Sequence, residues 1–344
     1  MNETAHGGSE ALIPNMEANQ QGVTMSTDKN MLVFSGTANP ALAEKIAKYM
    51  GVELGNVKLS KFANGEIYAR YLQSVRGRDV YIIQSVAGNV NDALMELLIM
   101  IDAAKRASAK SICAVISHYG YSRQDKKSAA REPITAKLVA NLLEVAGVDR
   151  IIAVDLHQGQ IQGFFNIPVN HLTAMSIFAD YFKAQNLPNL VIVSPDTGRA
   201  RAAQKFCDIM GSGLAIMSKS RPAHNKAEVT TLIGDVEGKD CVLNDDMIDT
   251  AGTVVAACKL LKDRGAASIH VCATHGLLSG PAFDRIESCD AIDEVVVTDT
   301  VYVPEEKLVG KIKVVTVAPL LARAITRVEY DGSVSDLFDP EFAL

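Results

Sequence analysis

The stretch VLNDDMIDTAGT, residues 242–253, decides the expected fold and marks the expected site. Its apolar start predicts the end of a buried strand, with the carboxylates Asp245 and Asp246 directly after it and Asp249 three residues on. Thr250-Ala251-Gly252-Thr253 then leads into a predicted helix over 254–264. Such a helix start binds anions, because its backbone N–H groups are free and the helix dipole is positive there. Carboxylates tolerate an anion nearby only when they contact sugar hydroxyls or a metal ion. The stretch therefore predicts a sugar-phosphate site, the alternative being a charged loop capped by Thr250.

Composition and charge limit the kinds of protein that this chain can be. The chain has 344 residues, 48% hydrophobic and 22% charged, which is ordinary for a globular enzyme of roughly two domains. The net charge of −6 argues against a nucleic-acid or membrane-surface role, and no apolar run is long enough to span a bilayer. The six cysteines form no CxxC pair, and the N-terminus lacks a secretory pattern. We therefore expect free core thiols, a cytoplasmic location, and a disordered tail over residues 1–30.

Strand-like and helix-like runs alternate after the tail. Short runs rich in Val and Ile predict buried strands at 31–35, 80–85, 111–117, 151–156, 190–194, 214–217, 240–243, 269–274 and 294–298. Helical patterns lie between them, the clearest over 91–107. This alternation predicts an α/β fold with two mostly parallel sheets flanked by helices, in two units joined near residues 170–180.

Polar clusters follow several of these strands directly. Open α/β sheets bind ligands at the carboxyl ends of their strands, so such clusters indicate an enzyme. The clusters are SHYGYSRQDKK (117–127), DLHQGQIQGFF (155–165), SPDTGR (194–199), DDMIDTAGT (245–253) and THGLLSGP (274–281).

Each cluster has a chemical interpretation and a structural one. Arg123 can bind phosphate or belong to a solvated basic loop, and His157 can face a metal or phosphate or be structural. Asp196 can reach Mg²⁺ through water or form an Asx turn. Lys219 and Arg221 suit charge stabilisation of a phosphoryl transition state. FANGE, residues 62–66, predicts a hairpin, and the chain has neither a Walker A motif nor GxGxxG.

Together these motifs resemble the ribose-phosphate diphosphokinase family, the phosphoribosyl-pyrophosphate (PRPP) synthetases, from about Met31 to Phe338. FANGE, GYSRQDKK, REPITAKLVANLLE, SPDTG, DDMIDTAGT and the terminal SVSDLF carry the likeness. The resemblance implies two phosphoribosyltransferase-like domains, 31–175 and 176–327, with the segment 328–344 returning to the first. It also implies transfer of the β,γ-diphosphoryl group of ATP to the C1 hydroxyl of ribose 5-phosphate, with Mg²⁺ as cofactor.

Site roles carry over from the family to matching positions. Lys219 and Arg221 are the implied catalytic cations. The implied ribose 5-phosphate contacts are Arg221, Asp245, Asp246, Asp249, Thr250, Ala251, Gly252 and Thr253. The implied ATP contacts are Phe62, Asn64, Glu66, Arg123, Gln124 and His157, the first three reaching a neighbouring subunit. His157 and Asp196 match metal-associated positions. The phosphate-activated type of the family further implies a homohexamer, with inorganic phosphate and ADP as effectors at Ser74, Arg76, Arg131, Ser333, Ser335 and Phe338.

Several residues depart from the family pattern, and two of them bear on the expected site. Asn244 occupies a strand position that is usually apolar, and Arg199 follows Gly198 where many members have a second glycine. Two rival functions are a non-catalytic regulatory relative and a phosphoribosyltransferase. The first should have lost Lys219, Arg221 or His157, all of which are present, and the second leaves the ATP-type clusters unexplained.

Overall fold

The computed structural model describes residues 30–220, 229–308 and 310–337, and its strands form three sheets. The strands are β1 (Met31–Ser35), β2 (Val57–Lys61), β3 (Ile67–Tyr71), β4 (Asp79–Gln84), β5 (Ser111–Ile116), β6 (Arg150–Val154), β7 (Val169–Leu172), β8 (Leu190–Ser194), β9 (Gly213–Ser220), β10 (Val229–Ile233), β11 (Asp240–Ile248), β12 (Ser268–Gly276), β13 (Glu294–Thr298) and β14 (Ile312–Val315).

Helices connect most of the strands. They are α1 (Pro40–Met50), α2 (Val90–Arg106), α3 (Thr135–Ala146), α4 (Met175–Gln185), α5 (Ala200–Met210), α6 (Gly252–Asp263), α7 (Ala282–Glu287) and α8 (Ala318–Glu329). Short 3-10 turns occur at Gly159–Phe164, Thr197–Arg199, Glu305–Lys307 and Ser335–Leu337. No helix in the described ranges is long and apolar enough to cross a membrane.

The sheet topology is that of an α/β protein. A five-stranded parallel sheet has the order β1-β4-β5-β6-β7. A seven-stranded sheet has the order β10-β9-β8-β11-β12-β13-β14, with β10 antiparallel to β9 and the other pairs parallel. The hairpin β2-β3 stands apart as an antiparallel pair. Most strands of both large sheets are buried on both faces, which explains their continuous Val- and Ile-rich runs.

Helix α1 shows how the local sequence sets the ends of an element. Its start is capped by the Asn39 side chain, which accepts a hydrogen bond from the N–H of Leu42, and Pro40 occupies the first turn. Its end is set by Gly51, whose φ of 65° is the left-handed conformation that terminates helices.

One apolar core connects the two large sheets. It contains Ile46 of α1, Phe178 and Phe182 of α4, and Leu321 and Ile325 of α8, all nearly or fully buried. Each such side chain stabilises the fold by about 1.5–3 kcal/mol. Both sheets belong to one compact unit that begins at Met31. The domain boundaries at residues 175 and 327 stay predictions.

The structure confirms every strand predicted from an apolar run and corrects two local expectations. Strand β11 continues to Ile248, so Asp245 and Asp246 lie within the strand rather than after it. Helix α6 begins at Gly252, and its N-cap is Ala251 in the left-handed conformation with no side-chain cap, so Thr250 does not cap it. Strands β7, β10 and β14 were not predicted, because each has only four or five residues and alternating or mixed polarity.

Candidate active site

The carboxyl end of β11 forms the centre of the candidate site. This strand lies between β8 and β12, and the turn after β8 carries Asp196 and Arg199. Asp245 Oδ1 accepts the backbone N–H of Asp246 at 2.8 Å. The Arg199 guanidinium lies within 3.5 Å of Oδ1 of both residues, so the two carboxylates share one corner of the sheet.

His157 reaches this corner from the five-stranded sheet. It follows β6, and its Nδ1 lies 2.7 Å from Oδ2 of Asp246, whose side chain is 5% exposed. The hydrogen bond that His157 makes to the Asp246 carboxylate raises the pKa of His157 against the opposing effect of burial. Residues from both sheets thus meet at one contact, which brings a predicted nucleotide residue to a predicted ribose residue.

Arg199 is a third member of this cluster, and its role was not predicted. Its Nε lies 3.5 Å from Asp245 Oδ1, and its Nη1 lies 3.4 Å from Asp246 Oδ1. Its backbone N–H also donates to Oδ1 of Asp196 at 3.0 Å. The sequence signal was an arginine three residues after Asp196, within the polar cluster that follows a predicted strand.

The two carboxylates have opposite pKa shifts. Burial and the neighbouring charge of Asp246 raise the pKa of Asp245. Burial would also raise the pKa of Asp246, but the hydrogen bond to His157 and the charge of Arg199 reverse the effect and lower it. Asp246 is therefore the carboxylate that stays ionised, and Asp245 is the one poised to exchange a proton.

The loop after β11 is the segment for which the sequence predicts a phosphate pocket. Ala251 has φ 58°, so the backbone turns sharply before α6, and the side chains of Thr250 and Thr253 are exposed. Two hydrogen bonds from another segment hold the loop. The Thr250 carbonyl accepts one from Arg285 Nη1 at 2.9 Å, and the Asp249 carbonyl accepts one from the N–H of Ser279 at 2.9 Å. The start of α6 is thus held in place with its anion-binding end exposed.

Arg123 closes the site from the other side. It belongs to the polar loop after β5, and its Nη2 donates to Oδ2 of Asp249 at 2.8 Å. Burial opposes ionisation of Asp249, but hydrogen bonds from Ser279 and Arg123 lower its pKa. The neighbouring Gln124 accepts a hydrogen bond from the Thr135 hydroxyl at 2.5 Å, which anchors the loop to the start of α3.

A buried polar network beneath the site joins the same two sheets. Asp155, at φ 37°, accepts from Thr274 Oγ1 at 2.6 Å through its carboxylate, and its carbonyl lies 3.0 Å from His275 Nε2. The rings of His118 and His275 are 4.5 Å apart, and burial lowers the pKa of both, which favours the neutral form of each ring. Sequence reasoning missed this network, because its members lie on three different segments.

Other predicted residues lie away from this cluster or outside the description. Phe62, Asn64 and Glu66 form the tip of the β2-β3 hairpin, where Phe62 is 56% exposed, and none of the contacts described joins them to Asp246 or Asp249. Lys219 is described only through its backbone, which pairs with Thr230 in β9-β10, and Arg221 lies outside the described residues.

The predicted effector residues are spread over several surface segments. Arg76 Nη1 donates to the Ser108 hydroxyl, and Ser333 donates to Ser335. Ser74 and Arg131 are exposed, and Phe338 lies outside the described residues. The contacts described do not bring these residues into one site, so their regulatory role stays a prediction.

The side chains of the site could bind Mg²⁺ only together with further ligands from a substrate or from water. No cluster of three or more His, Cys, Asp or Glu in the described ranges could hold a metal alone. Mg²⁺ is commonly bound by one or two protein carboxylates together with substrate phosphates. Asp196 keeps one carboxylate oxygen beyond its bond to Arg199, which fits such an ion.

Comparisons with known proteins give the family. The family model described as the N-terminal domain of ribose phosphate pyrophosphokinase matches residues 31–147, and the phosphoribosyl synthetase-associated domain matches residues 218–339. The chain is 51% identical over 311 residues to ribose-phosphate pyrophosphokinase of Bacillus subtilis (strain 168), covering 90% of this chain and 98% of the relative. The chain belongs to the ribose-phosphate pyrophosphokinase family.

A further relative and a solved structure support the same family assignment. The protein of that name from Caldanaerobacter subterraneus subsp. tengcongensis is 53% identical over 310 residues, covering 90% of this chain and 98% of the relative. The crystal structure of phosphoribosylpyrophosphate synthetase from Mycobacterium smegmatis superimposes with a TM-score of 0.84 at 46% identity, covering 88% of this chain and all of that one. The predicted enzyme class and α/β fold are confirmed.

Proposed function

We propose that the chain transfers the β,γ-diphosphoryl group of ATP to ribose 5-phosphate, giving PRPP and AMP. The observation that carries the proposal is the pair of contacts His157–Asp246 and Arg123–Asp249. They bring the predicted nucleotide residues of one sheet against the predicted ribose residues of the other. Donor and acceptor substrates would therefore lie side by side.

Each part of the site has a role in this reaction. The start of α6 receives the 5-phosphate, and Asp245 and Asp246 accept hydrogen bonds from the ribose hydroxyls. The C1 oxygen attacks the β-phosphorus and loses its proton, the bond from the β-phosphorus to the α,β-bridging oxygen breaks, and AMP leaves. Arg123 and His157 hold the nucleotide phosphates, and Lys219 and Arg221 oppose the negative charge that develops on the transferring group.

The proposal also includes a magnesium ion, an oligomeric state and two effectors. Mg²⁺ brought by the nucleotide would neutralise phosphate charge, with His157 and Asp196 at its side. The exposed hairpin tip supports the adenine contact in a neighbouring subunit of a homohexamer, since Phe62 is far more exposed than a core aromatic. Inorganic phosphate and ADP are the proposed effectors. The six cysteines are all free and buried, as predicted, which supports a reducing, cytoplasmic location.

A coupled assay for AMP tests the proposal. Purified full-length protein is given ATP and Mg²⁺, with and without ribose 5-phosphate, in the presence and absence of inorganic phosphate. We expect AMP only when the sugar phosphate is present, and more of it with inorganic phosphate. Folded, oligomeric protein that forms no AMP under any of these conditions would contradict the proposal and favour a non-catalytic subunit.

A further inference from the structure

Arg199 lies against both carboxylates of β11 from the turn that follows the neighbouring strand β8. Its side chain is 23% exposed, and the side chains of Asp245 and Asp246 are 18% and 5% exposed. The backbone N–H of Arg199 donates a hydrogen bond to the Asp196 carboxylate, which fixes the turn that carries the arginine. The guanidinium is therefore largely shielded from solvent beside the two carboxylates.

The charge balance of this corner requires a cation. Two adjacent carboxylates carry up to two negative charges in a largely buried position, and buried charge is destabilising unless it is paired. His157 contacts Oδ2 of Asp246, whereas Arg199 approaches Oδ1 of Asp245 and Oδ1 of Asp246. Arg199 thus faces one oxygen of each carboxylate, a position from which a single cation can neutralise both.

The contact is electrostatic rather than a hydrogen-bonded fork. The Arg199 Nε is buried without a hydrogen-bond partner, and its distance of 3.5 Å to Asp245 is longer than a normal hydrogen bond. An arginine held in this way compensates charge without occupying the lone pairs of the carboxylates. The lone pairs beyond those that face the N–H of Asp246 and the His157 ring stay available to hydroxyl groups of a sugar.

We propose that Arg199 is a positioning residue that serves as a built-in counter-cation for Asp245 and Asp246, in the place that a divalent cation would otherwise fill. The pair then receives ribose hydroxyls without first binding a free metal ion. The part about ribose rests on the proposed function, whereas the part about charge rests only on the geometry of the three side chains.

Binding of Mn²⁺ to the full-length protein without nucleotide or sugar, followed by electron paramagnetic resonance, tests the charge argument. Arg199→Ala and the longer neutral variant Arg199→Gln should bind Mn²⁺ about tenfold more tightly than the wild type, because two carboxylates lose their counter-ion. Arg199→Lys keeps the charge and should match the wild type. Arg201→Ala, an exposed arginine two residues on in α5, is the matched control and should also match it.

A kinetic comparison tests the role in sugar binding. Arg199→Ala and Arg199→Gln should raise the KM for ribose 5-phosphate several-fold more than they lower kcat, and Arg199→Lys should restore most of the loss. If folded Arg199→Gln binds Mn²⁺ no more tightly than the wild type, or if Arg199→Lys gains the same affinity, the proposal is overturned. The Mn²⁺ measurement needs no catalysis, so it stays decisive even if the proposed reaction fails.

Discussion

Arg123 and Asp249, which are 126 positions apart in the chain, form an ion pair of 2.8 Å that joins the two sheets across the candidate site. Arg123 lies in the loop after β5, and Asp249 lies in the loop before α6. The predicted nucleotide loop and the predicted ribose loop are therefore connected directly. Loss of the cation on the nucleotide loop should therefore also affect ribose 5-phosphate.

Arg123→Ala should raise the KM for ribose 5-phosphate as well as the KM for ATP. The unpaired Asp249 carboxylate would then repel the 5-phosphate. The thermal midpoint should change little, because an exposed ion pair contributes only about 0.2–1 kcal/mol. Steady-state kinetics with each substrate varied in turn measures both effects, and Lys126→Ala, an exposed cation of the same loop, is the control. A rise in the KM for ATP alone would argue against the coupling.

Asp249→Ala should damage the use of ribose 5-phosphate and leave nucleotide affinity largely intact. The substitution removes a contact of the sugar-phosphate loop, and it frees Arg123 to face the nucleotide phosphates. Isothermal titration with a non-hydrolysable ATP analogue measures nucleotide affinity directly. Collapse of that affinity in the variant would show that the assignment of the loop to the sugar phosphate is wrong.

Lys219→Ala should lower kcat by about 10²–10³-fold, with much smaller changes in either KM. The lysine is expected to act mainly on the charge that develops during transfer. Initial rates at saturating substrates measure the effect, with the exposed Lys259→Ala on α6 as the control. An increase in KM with kcat unchanged would place Lys219 in ground-state binding instead.

Asn244→Val should increase the free energy of unfolding by about 1–2 kcal/mol. Asn244 is 5% exposed, its Nδ2 donates only to Cys272 Sγ at 3.3 Å, and its Oδ1 is buried without a partner. Urea denaturation of the variant and the wild type measures the difference, and Asn244→Asp should move stability in the opposite direction. Equal stability of Asn244→Val and the wild type would mean that the amide is satisfied in solution.

Glu294→Gln should make stability less dependent on pH in the acidic range. Burial alone would raise the pKa of Glu294, but contacts with His270, Gln185 and Tyr181 outweigh it and lower the pKa. Because the folded pKa is depressed, the carboxylate stabilises the fold above its unfolded pKa of about 4.5 and loses that effect as the pH falls through the folded pKa.

The variant should accordingly be about 1–3 kcal/mol less stable than the wild type at pH 7, and the gap should close below pH 4.5. Urea titrations at several pH values measure it. Glu53→Gln, an exposed glutamate, should track the wild type throughout. A gap that stays constant across this range would contradict the assigned cause.

Strands β1, β8 and β13 could be predicted from sequence to the residue, because each is a short apolar run buried on both faces. Strand β11 was predicted too short, since its last residues carry the charged Asp245 and Asp246. Their charges are compensated by His157 and Arg199, and that compensation exists only after folding.

The site was predictable where its residues lie in one stretch and less so where distant segments meet. Residues 245–253 form one loop and its flanks, so their common role followed from their order. The contact of Arg199 with both carboxylates needs two neighbouring strands, and the Asp155, Thr274 and His275 network needs both sheets. No local pattern encodes such contacts.

The most direct test of the account follows the β-phosphorus of ATP. The protein is incubated with [β-³²P]ATP, Mg²⁺ and ribose 5-phosphate, and the labelled products are separated. We predict that the label leaves the nucleotide, appears on the sugar phosphate, and is matched by an equal amount of AMP. Label retained in ADP would show transfer of a single phosphoryl group and would contradict the account.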